Sequence, residues 1–200
     1  MAKPAIHGEL LPMRDAEVVL YRDFFGHTEA EAFFTRLTAE VNWQPQEIKI
    51  FGKFVPVPRR VSWYGDAGTD YSYSGITVHP QPWIAPLTEI KARLDTYAGV
   101  TFNSVLCNLY RDGKDSIGWH SDDEPELGTD PVVGSVSFGA PRLFHFRHKQ
   151  DKALRMKIEL SHGSFLLMRG PTQHYWSHQL PKTAKQVGPR INLTYRAVRT

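Results

Sequence analysis

The sequence predicts a mainly β protein with some helix (α+β), built around a double-stranded β-helix, or jelly roll. Three observations support this fold class. After residue 100, short apolar or alternating segments are separated by Gly, Pro and Asp, as in a series of β-strands. Before residue 100, two segments have the apolar spacing of an amphipathic helix. The chain of 200 residues, 41% of them hydrophobic, is long enough for one domain with a substantial core.

The N-terminal half is expected to contribute two helices and an additional β region. Residues 28–41 carry an apolar stripe at helical spacing, and residues 28–31 have the pattern of a capping box. A second helix is predicted over 84–97. Residues 47–79 are rich in Gly, Pro and aromatic residues, which predicts short strands and hairpins. Residues 1–15 lack periodicity, and we expect them to be flexible.

The C-terminal half is expected to form the jelly roll itself. Its predicted strands are 101–111, 116–121, 132–139, 142–149, 154–160, 163–169, 174–180 and 189–198. Eight strands joined by short turns are typical of a double-sheet jelly roll, in which closure protects most strand edges. We therefore expect one domain over 1–200, a catalytic core at 101–198, and two helices packed on one sheet.

Cysteine content and hydropathy indicate the compartment. Cys107 is the only cysteine, which excludes an intrachain disulfide and fits a reducing environment. The chain has no apolar run of 18 residues and no N-terminal signal sequence, so we expect neither a membrane partner nor secretion. We expect a cytoplasmic monomer, or a nuclear one in a eukaryote.

Positive charge is clustered rather than evenly spread. The net charge is +3, and no acidic residue occurs between Glu47 and Asp66, a stretch that contains four cations: Lys49, Lys53, Arg59 and Arg60. Such a patch fits a phosphate-backbone partner, and it fits ordinary solvated surface charge equally well.

A metal site is predicted by the spacing of three ligand residue types. His120 and Asp122 are two apart at the end of a strand, so they project to the same side. Two imidazoles and one carboxylate form the facial triad of non-haem iron(II) oxygenases. The second imidazole must come from a neighbouring strand, where His174 and His178 share a face of the 174–180 segment. The pattern does not choose between them, although His178 lies nearer the strand end.

The last predicted strand supplies a binding surface for a dianion. Its polar residues alternate with bulky apolar ones and therefore share one face: Arg190, Asn192, Thr194 and Arg196. Two guanidiniums on one face suit a small dicarboxylate. On strand 101–111, Asn108 and Tyr110 also share a face and offer an amide and a phenol. Iron together with a dicarboxylate indicates a 2-oxoglutarate-dependent oxygenase.

Ordered motifs over residues 45–198 carry a family resemblance. They are Phe51-Gly52-Lys53, Tyr71-Ser72-Tyr73, Asn108-Leu109-Tyr110, the segment 119–124, Ser135 to Gly139, His162-Gly163-Ser164 and the segment 189–196. This set resembles the AlkB family of Fe(II)/2-oxoglutarate dioxygenases, which repair alkylated nucleic-acid bases. It is most similar to the branch of the mammalian duplex-DNA repair homologue.

The resemblance implies a role for each group of residues. Iron ligands would be His120, Asp122 and His178, which favours His178 over His174. The co-substrate 2-oxoglutarate would be held by Asn108, Tyr110, Arg190, Asn192, Thr194 and Arg196. A nucleotide-recognition lid would span 45–80, with a wedge hairpin at Phe51, Gly52 and Lys53 and a base-lining segment at Tyr71, Ser72 and Tyr73. Asp123 would receive the exocyclic amino group of the base.

The reaction implied is oxidative demethylation of bases such as N1-methyladenine and N3-methylcytosine in DNA. The enzyme would use Fe(II) as its cofactor, consume 2-oxoglutarate and O2 as co-substrates, and release formaldehyde, succinate and CO2. The segment 182–185 has only two separated cations, fewer than the duplex-specific branch, so duplex, single-stranded DNA and RNA all remain open. Two alternatives are an oxygenase of this fold that acts on RNA, protein or a small molecule, and a non-catalytic metal-binding jelly roll.

Overall fold

Two facing antiparallel sheets form the framework of this computed structural model. It describes residues 6–50, 52–73 and 76–199, and of 48–50, 71–73 and 76–78 it describes the backbone. The strands in chain order are β1 (Glu9–Leu10), β2 (Glu17–Tyr21), β3 (Gln44–Ile50), β4 (Lys53–Gly65), β5 (Tyr71–Tyr73), β6 (Ile76–Val78), β7 (Ser104–Tyr110), β8 (Ile117–His120), β9 (Val133–Gly139), β10 (Arg142–His148), β11 (Arg155–Leu160), β12 (Ser164–Arg169), β13 (Trp176–Leu180) and β14 (Arg190–Arg196). The helices are α1 (His27–Glu40), α2 (Ala85–Ala98) and α3 (Thr172–Tyr175), with a 3-10 turn at Pro125–Leu127.

The sheet order is that of a jelly roll with an extended larger sheet. The larger sheet runs β1-β2-β12-β9-β14-β7-β4-β3, the smaller sheet runs β11-β10-β13-β8, and β5 and β6 form a separate hairpin. An inner core of apolar side chains from β10, β12 and β13 fills the space between the two sheets. Each of the eight strands predicted after residue 100 is present, which confirms the predicted fold class.

Both long helices pack on the outer face of the larger sheet, as predicted. Phe33 and Leu37 of α1 and Ile90 and Leu94 of α2 join side chains of β7, β9 and β14 in one buried cluster. At about 1.5–3 kcal/mol for each fully buried large apolar side chain, this cluster is a major stabilising element of the fold.

Helix α1 begins differently from the prediction. Its N-cap is Gly26, which has no side chain to cap the helix, so the predicted capping box at residues 28–31 is wrong. Glu29 instead accepts a 2.8 Å hydrogen bond from Arg93 of α2 and joins the two helices. Helix α2 ends at Gly99 in the left-handed conformation (φ 71°), as is common for glycine after a helix.

The N-terminal half contains more of the larger sheet than predicted. Strand β2 was not predicted, and Leu11 and Met13 beside it are buried in the inner core. Strand β4 is 13 residues long, not a short hairpin strand, and it pairs with β7 from Arg60 to Gly65. Phe51, which follows β3 in the sequence, lies outside the described residues. Among the described residues, no helix is long and apolar enough to cross a membrane.

Strand β14 places the site because its two faces have different chemistry. It lies between β9 and β7 and pairs with both along its whole length. Ile191, Leu193 and Tyr195 point into the outer core, where the Tyr195 hydroxyl donates to the Leu87 carbonyl at 2.9 Å. The polar residues of the strand therefore face the smaller sheet, as the alternation predicts.

Candidate metal and co-substrate site

A pocket opens between the two sheets and holds about 430 Å³ of empty space, open solvent included. It is lined by Leu106, Asn108, Tyr110, Ile117, His120, Asp122, Ser135, Phe144, Met168, His178, Leu180, Arg190, Asn192, Thr194 and Arg196. All nine residues expected to bind iron or 2-oxoglutarate are on this cavity wall. The cavity is thus a polar pocket with three metal-ligand types at one end and two guanidiniums along one wall.

His120, Asp122 and His178 lie together at the end of the smaller sheet. Their ligand atoms all lie within 4.8 Å of one another, and the His120 and His178 rings are 4.3 Å apart between centroids. His178 pairs directly with His120 across β13 and β8, and its Nε2 lies 3.3 Å from Asp122 Oδ2. Two atoms bonded to one ion at about 2.1 Å, at a near-right angle, lie about 3 Å apart. The three residues therefore fit one ion.

The hydrogen bonds of the triad keep its ligand atoms available. His120 Nδ1 donates to the Gly118 carbonyl at 2.8 Å, so the proton is on Nδ1 and Nε2 keeps its lone pair. Burial, together with the nearby His178, lowers the pKa of His120 to about 4. The His120 imidazole is therefore neutral at physiological pH, the state that binds a metal.

Asp122 is buried, and it remains ionised. Burial alone would raise the pKa of its carboxyl, but the Arg196 guanidinium and the two imidazoles hold that pKa far below its usual value. Arg196 Nε donates to Asp122 Oδ1 at 3.0 Å, and Nη2 contacts the same oxygen. The Asp122 amide N–H donates to the Gln173 side-chain oxygen at 3.0 Å, which fixes the backbone at the triad.

Arg190 lies at the other end of the row on β14 and is fully buried. Its Nη2 donates to Ser137 Oγ at 2.8 Å, and its guanidinium carbon lies 5.3 Å from the centre of the Tyr110 ring. Within the described part of the chain, its Nε has no hydrogen-bond partner. Burial lowers the pKa of Arg190 to about 10. A buried cation with these neutral neighbours is suited to binding an anion.

The remaining cavity residues are held in place by one another. Asn192 Nδ2 donates to Ser135 Oγ at 2.8 Å and to the Val136 carbonyl at 3.0 Å, while Asn192 Oδ1 accepts from Thr194 at 3.1 Å. Asn108 is buried, and its Oδ1 accepts a 2.7 Å hydrogen bond from Arg59 Nε. These polar side chains form a wall with fixed donors and acceptors.

Two residues of this site were not predicted from the sequence. Gln173 is fully buried on α3, and nothing in its sequence context distinguished it. Arg59 was placed in a surface basic patch, which is wrong, because its side chain is buried beside Asn108. Its position two residues before buried Val61 on the same strand was the signal that could have placed it inside.

His174 does not share a strand face with His178, contrary to the prediction. It lies on α3, and its Nε2 is 3.0 Å from Asp130 Oδ1 on the surface. A helical turn before β13 separates the two histidines, so the period-two argument did not apply. The geometry therefore brings His178, not His174, to His120 and Asp122.

Of the residues expected to contact a nucleotide, Lys53 and Asp123 have described side chains, and neither is on the cavity wall. Asp123 is exposed, and its Oδ2 accepts from Lys149 Nζ at 3.0 Å, while Lys149 also donates to the Gln173 carbonyl at 2.7 Å. Gly52 has a φ of 80° in the β3–β4 turn, and Lys53 is exposed beside it. The backbone of Tyr71, Ser72 and Tyr73 forms β5.

Comparisons with known proteins agree with this geometry. Residues 17–196 match the family described as the 2OG-Fe(II) oxygenase superfamily. The chain is 43% identical over 188 residues to human DNA oxidative demethylase ALKBH2, covering 89% of this chain and 72% of that protein. It is 42% identical over 198 residues to mouse alpha-ketoglutarate-dependent dioxygenase alkB homolog 3, covering 94% and 68%. A solved structure of OsALKBH1 matches with a TM-score of 0.64 at 16% identity, covering 94% of this chain and all of that one, which supports the fold.

Proposed function

Because the chain belongs to the 2OG-Fe(II) oxygenase superfamily and, within it, to the AlkB family, we propose that it oxidatively demethylates N-alkylated bases in DNA. It is an Fe(II)/2-oxoglutarate-dependent dioxygenase, with Fe(II), 2-oxoglutarate and O2 as its cofactor and co-substrates. The observation that carries the proposal is the His120–Asp122–His178 cluster beside the guanidiniums of β14, in which Asp122 and His178 are buried and His120 is partly buried.

We assign the metal to His120, Asp122 and His178. The neutral imidazole of His120 and the ionised Asp122 present lone pairs without first losing a proton. Bound there, Fe(II) supplies the redox chemistry that oxidises an N-methyl group with O2 and 2-oxoglutarate, giving formaldehyde, succinate and CO2. Gln173 and Gly118 act on the ligands indirectly, by fixing the backbone of Asp122 and the tautomer of His120.

We assign the two carboxylates of 2-oxoglutarate to opposite ends of β14. Arg196 contacts the ligand Asp122, so it lies near the carboxylate that approaches the metal. Arg190 lies six residues away at the far end of the strand and would pair with the distal carboxylate. Tyr110, Asn108, Asn192 and Thr194 would complete the wall between these ends.

We propose that the β3–β4 and β5–β6 hairpins form the nucleotide-recognition lid. The tip of the first hairpin carries the exposed cation Lys53 and two exposed apolar side chains, Phe54 at 66% and Val55 at 40% exposure. A base inside a duplex must leave the stack before it can reach a buried site, and apolar wedges assist that step. We place Phe51, Gly52 and Lys53 at this wedge and Tyr71, Ser72 and Tyr73 beside the flipped base.

We propose that Asp123 recognises the base at the cavity mouth. Its carboxylate follows directly after the metal ligand Asp122 and already holds the ammonium of Lys149. A base that carries a positive charge, such as N1-methyladenine or N3-methylcytosine, would exchange with that ammonium. The site therefore favours cationic lesions over neutral bases.

Formaldehyde release tests the proposal. Protein reconstituted anaerobically with Fe(II) should release formaldehyde from an oligonucleotide containing N1-methyladenine once 2-oxoglutarate and O2 are supplied. His120→Ala should lose this turnover and remain folded, because the His120 side chain is only partly buried. If the protein forms succinate from 2-oxoglutarate but releases no formaldehyde from any methylated DNA oligonucleotide, DNA is rejected as the substrate. Parallel assays with single-stranded DNA, duplex DNA and RNA would rank the three.

A further inference from the structure

Arg59 is a buried cation on β4 that points toward the co-substrate cavity from outside its wall. It precedes Val61 by two residues and so shares the face of β4 that meets Asn108 on β7. Its Nε donates to Asn108 Oδ1 at 2.7 Å, and its Nη1 donates to the Ser116 carbonyl at 3.4 Å. Its side chain is 7% exposed, and both acceptors are neutral oxygens.

The Arg59 contact determines which way the Asn108 amide faces. An amide has an oxygen that accepts and a nitrogen that donates, and Oδ1 is turned to Arg59. A flipped amide would place its N–H groups against the guanidinium N–H, leaving two buried donors face to face. The Nδ2 group is therefore directed away from Arg59, on a residue that lines the cavity.

We infer that Arg59 is a positioning residue for 2-oxoglutarate: it locks Asn108 with the amide N–H groups available to a co-substrate oxygen. This inference rests on the proposed function, since it takes 2-oxoglutarate as the ligand of the cavity. It also gives a use to a buried cation that neither touches the cavity nor contacts the metal ligands.

Binding of 2-oxoglutarate to Fe(II)-loaded protein, measured anaerobically by its charge-transfer absorbance, provides the test. Arg59→Met should raise the dissociation constant of 2-oxoglutarate about tenfold, because the Asn108 amide is free to turn. Saturating 2-oxoglutarate should recover most of the turnover that Arg59→Met loses, because the variant acts through co-substrate affinity. Arg59→Lys, which keeps one donor, should recover part of the affinity. Arg60→Met, on the opposite face of the same strand, should leave the dissociation constant unchanged.

A double-mutant cycle separates positioning from support of the fold. In an Asn108→Ala background, Arg59→Met should cause no further loss of 2-oxoglutarate affinity, because the group it positions is gone. Additive losses in the double variant, or an unchanged dissociation constant in Arg59→Met, would overturn the inference.

If Arg59→Met does not fold, Asn108→Asp provides a second variant for the same measurement of 2-oxoglutarate binding. The new carboxylate would pair with Arg59 and preserve the fold, but it would present an acceptor to the cavity in place of a donor. We expect a higher Tm and at least tenfold weaker 2-oxoglutarate binding, and wild-type affinity in this variant would also overturn the inference. If wild-type protein binds 2-oxoglutarate but releases no formaldehyde from methylated oligonucleotides, the proposed substrate is wrong. The role of Arg59 is then still decided by the dissociation constants of 2-oxoglutarate in these variants.

Discussion

Replacement of Arg190 by Met should stabilise the ligand-free protein and at the same time weaken 2-oxoglutarate binding. The Arg190 guanidinium is fully buried, and its Nη2 donates a hydrogen bond to the Ser137 hydroxyl at 2.8 Å. Burial lowers its pKa from 12.5 to about 10, which corresponds to about 3 kcal/mol of destabilisation of the charged form in the fold. Met fills similar space without that cost.

The two effects have different magnitudes. Arg190→Met also loses the Ser137 hydrogen bond and the contact with Tyr110, which together stabilise the fold by about 1–2 kcal/mol. Subtracting this loss from the relieved burial cost leaves an expected net gain of about 1–2 kcal/mol in the free energy of unfolding. For a chain of this size that gain raises Tm by about 2–8 °C. Removing one partner of a buried charge pair costs about 2–5 kcal/mol in binding, which is roughly 30-fold to several-thousand-fold in the dissociation constant of 2-oxoglutarate.

Denaturant unfolding of the ligand-free protein and anaerobic titration with 2-oxoglutarate measure the two effects. Arg142→Met is the matched control, because Arg142 is also buried but donates to the backbone carbonyls of Asp112, Asp115 and Pro181 at 2.7–3.1 Å. We expect this control to lower the free energy of unfolding by at least about 2 kcal/mol, and to weaken 2-oxoglutarate binding far less than Arg190→Met does, because Arg142 acts on Arg190 only through its charge. If Arg190→Met also lowered stability and bound 2-oxoglutarate like wild type, Arg190 would be a structural arginine and the anion site would be wrong.

Three further predictions concern other parts of the molecule. Lys149→Met should lower the KM for cationic N1-methyladenine by about 1.5- to 5-fold, because Asp123 loses a competing ammonium, and should leave the KM for a neutral etheno lesion unchanged; equal changes for both lesions would contradict this. Burial raises the pKa of the Cys107 thiol well above its usual range, so Cys107 should react with a thiol reagent at pH 8 only after unfolding, and rapid labelling of native protein would argue against its burial. Burial lowers the pKa of His162 below 6.5, and its Nδ1 accepts from the Gly139 N–H at 2.8 Å. The unfolded chain therefore takes up this proton first as pH falls, and the free energy of unfolding should drop below about pH 6.5. His162→Gln, which keeps an acceptor but does not titrate, should make that drop smaller, while the lowered pKa of His120 keeps part of it in place. A profile as steep as that of wild type would exclude His162 as a contributor.

The sequence was sufficient to predict strand β14 and its role, because alternation on a strand depends only on local geometry. Arg190 and Arg196 share a face with Asn192 and Thr194, and the apolar residues between them fill the outer core. The strands after residue 100 were predicted for the same reason. Their turns are marked by Gly, Pro and Asp, which act locally.

Features that depend on tertiary contacts were not predicted. His174 resembles a strand residue in sequence, but the turn after β12 folds residues 172–175 into a helix and removes it from the site. Arg59 resembles a surface cation, but pairing of β4 with β7 buries it against Asn108. Gln173 contacts the metal-ligand backbone across about fifty residues of chain, a relation that no local pattern records.

A crystal structure of the protein with Mn(II) and 2-oxoglutarate, grown without O2, would show whether one cavity holds both the metal and the dicarboxylate. We predict one ion bonded to His120, Asp122 and His178, with one carboxylate of 2-oxoglutarate beside that ion and the other on Arg190. An ion bound elsewhere, or a cavity without 2-oxoglutarate in which Arg190 still contacts only Ser137 and Tyr110, would contradict it.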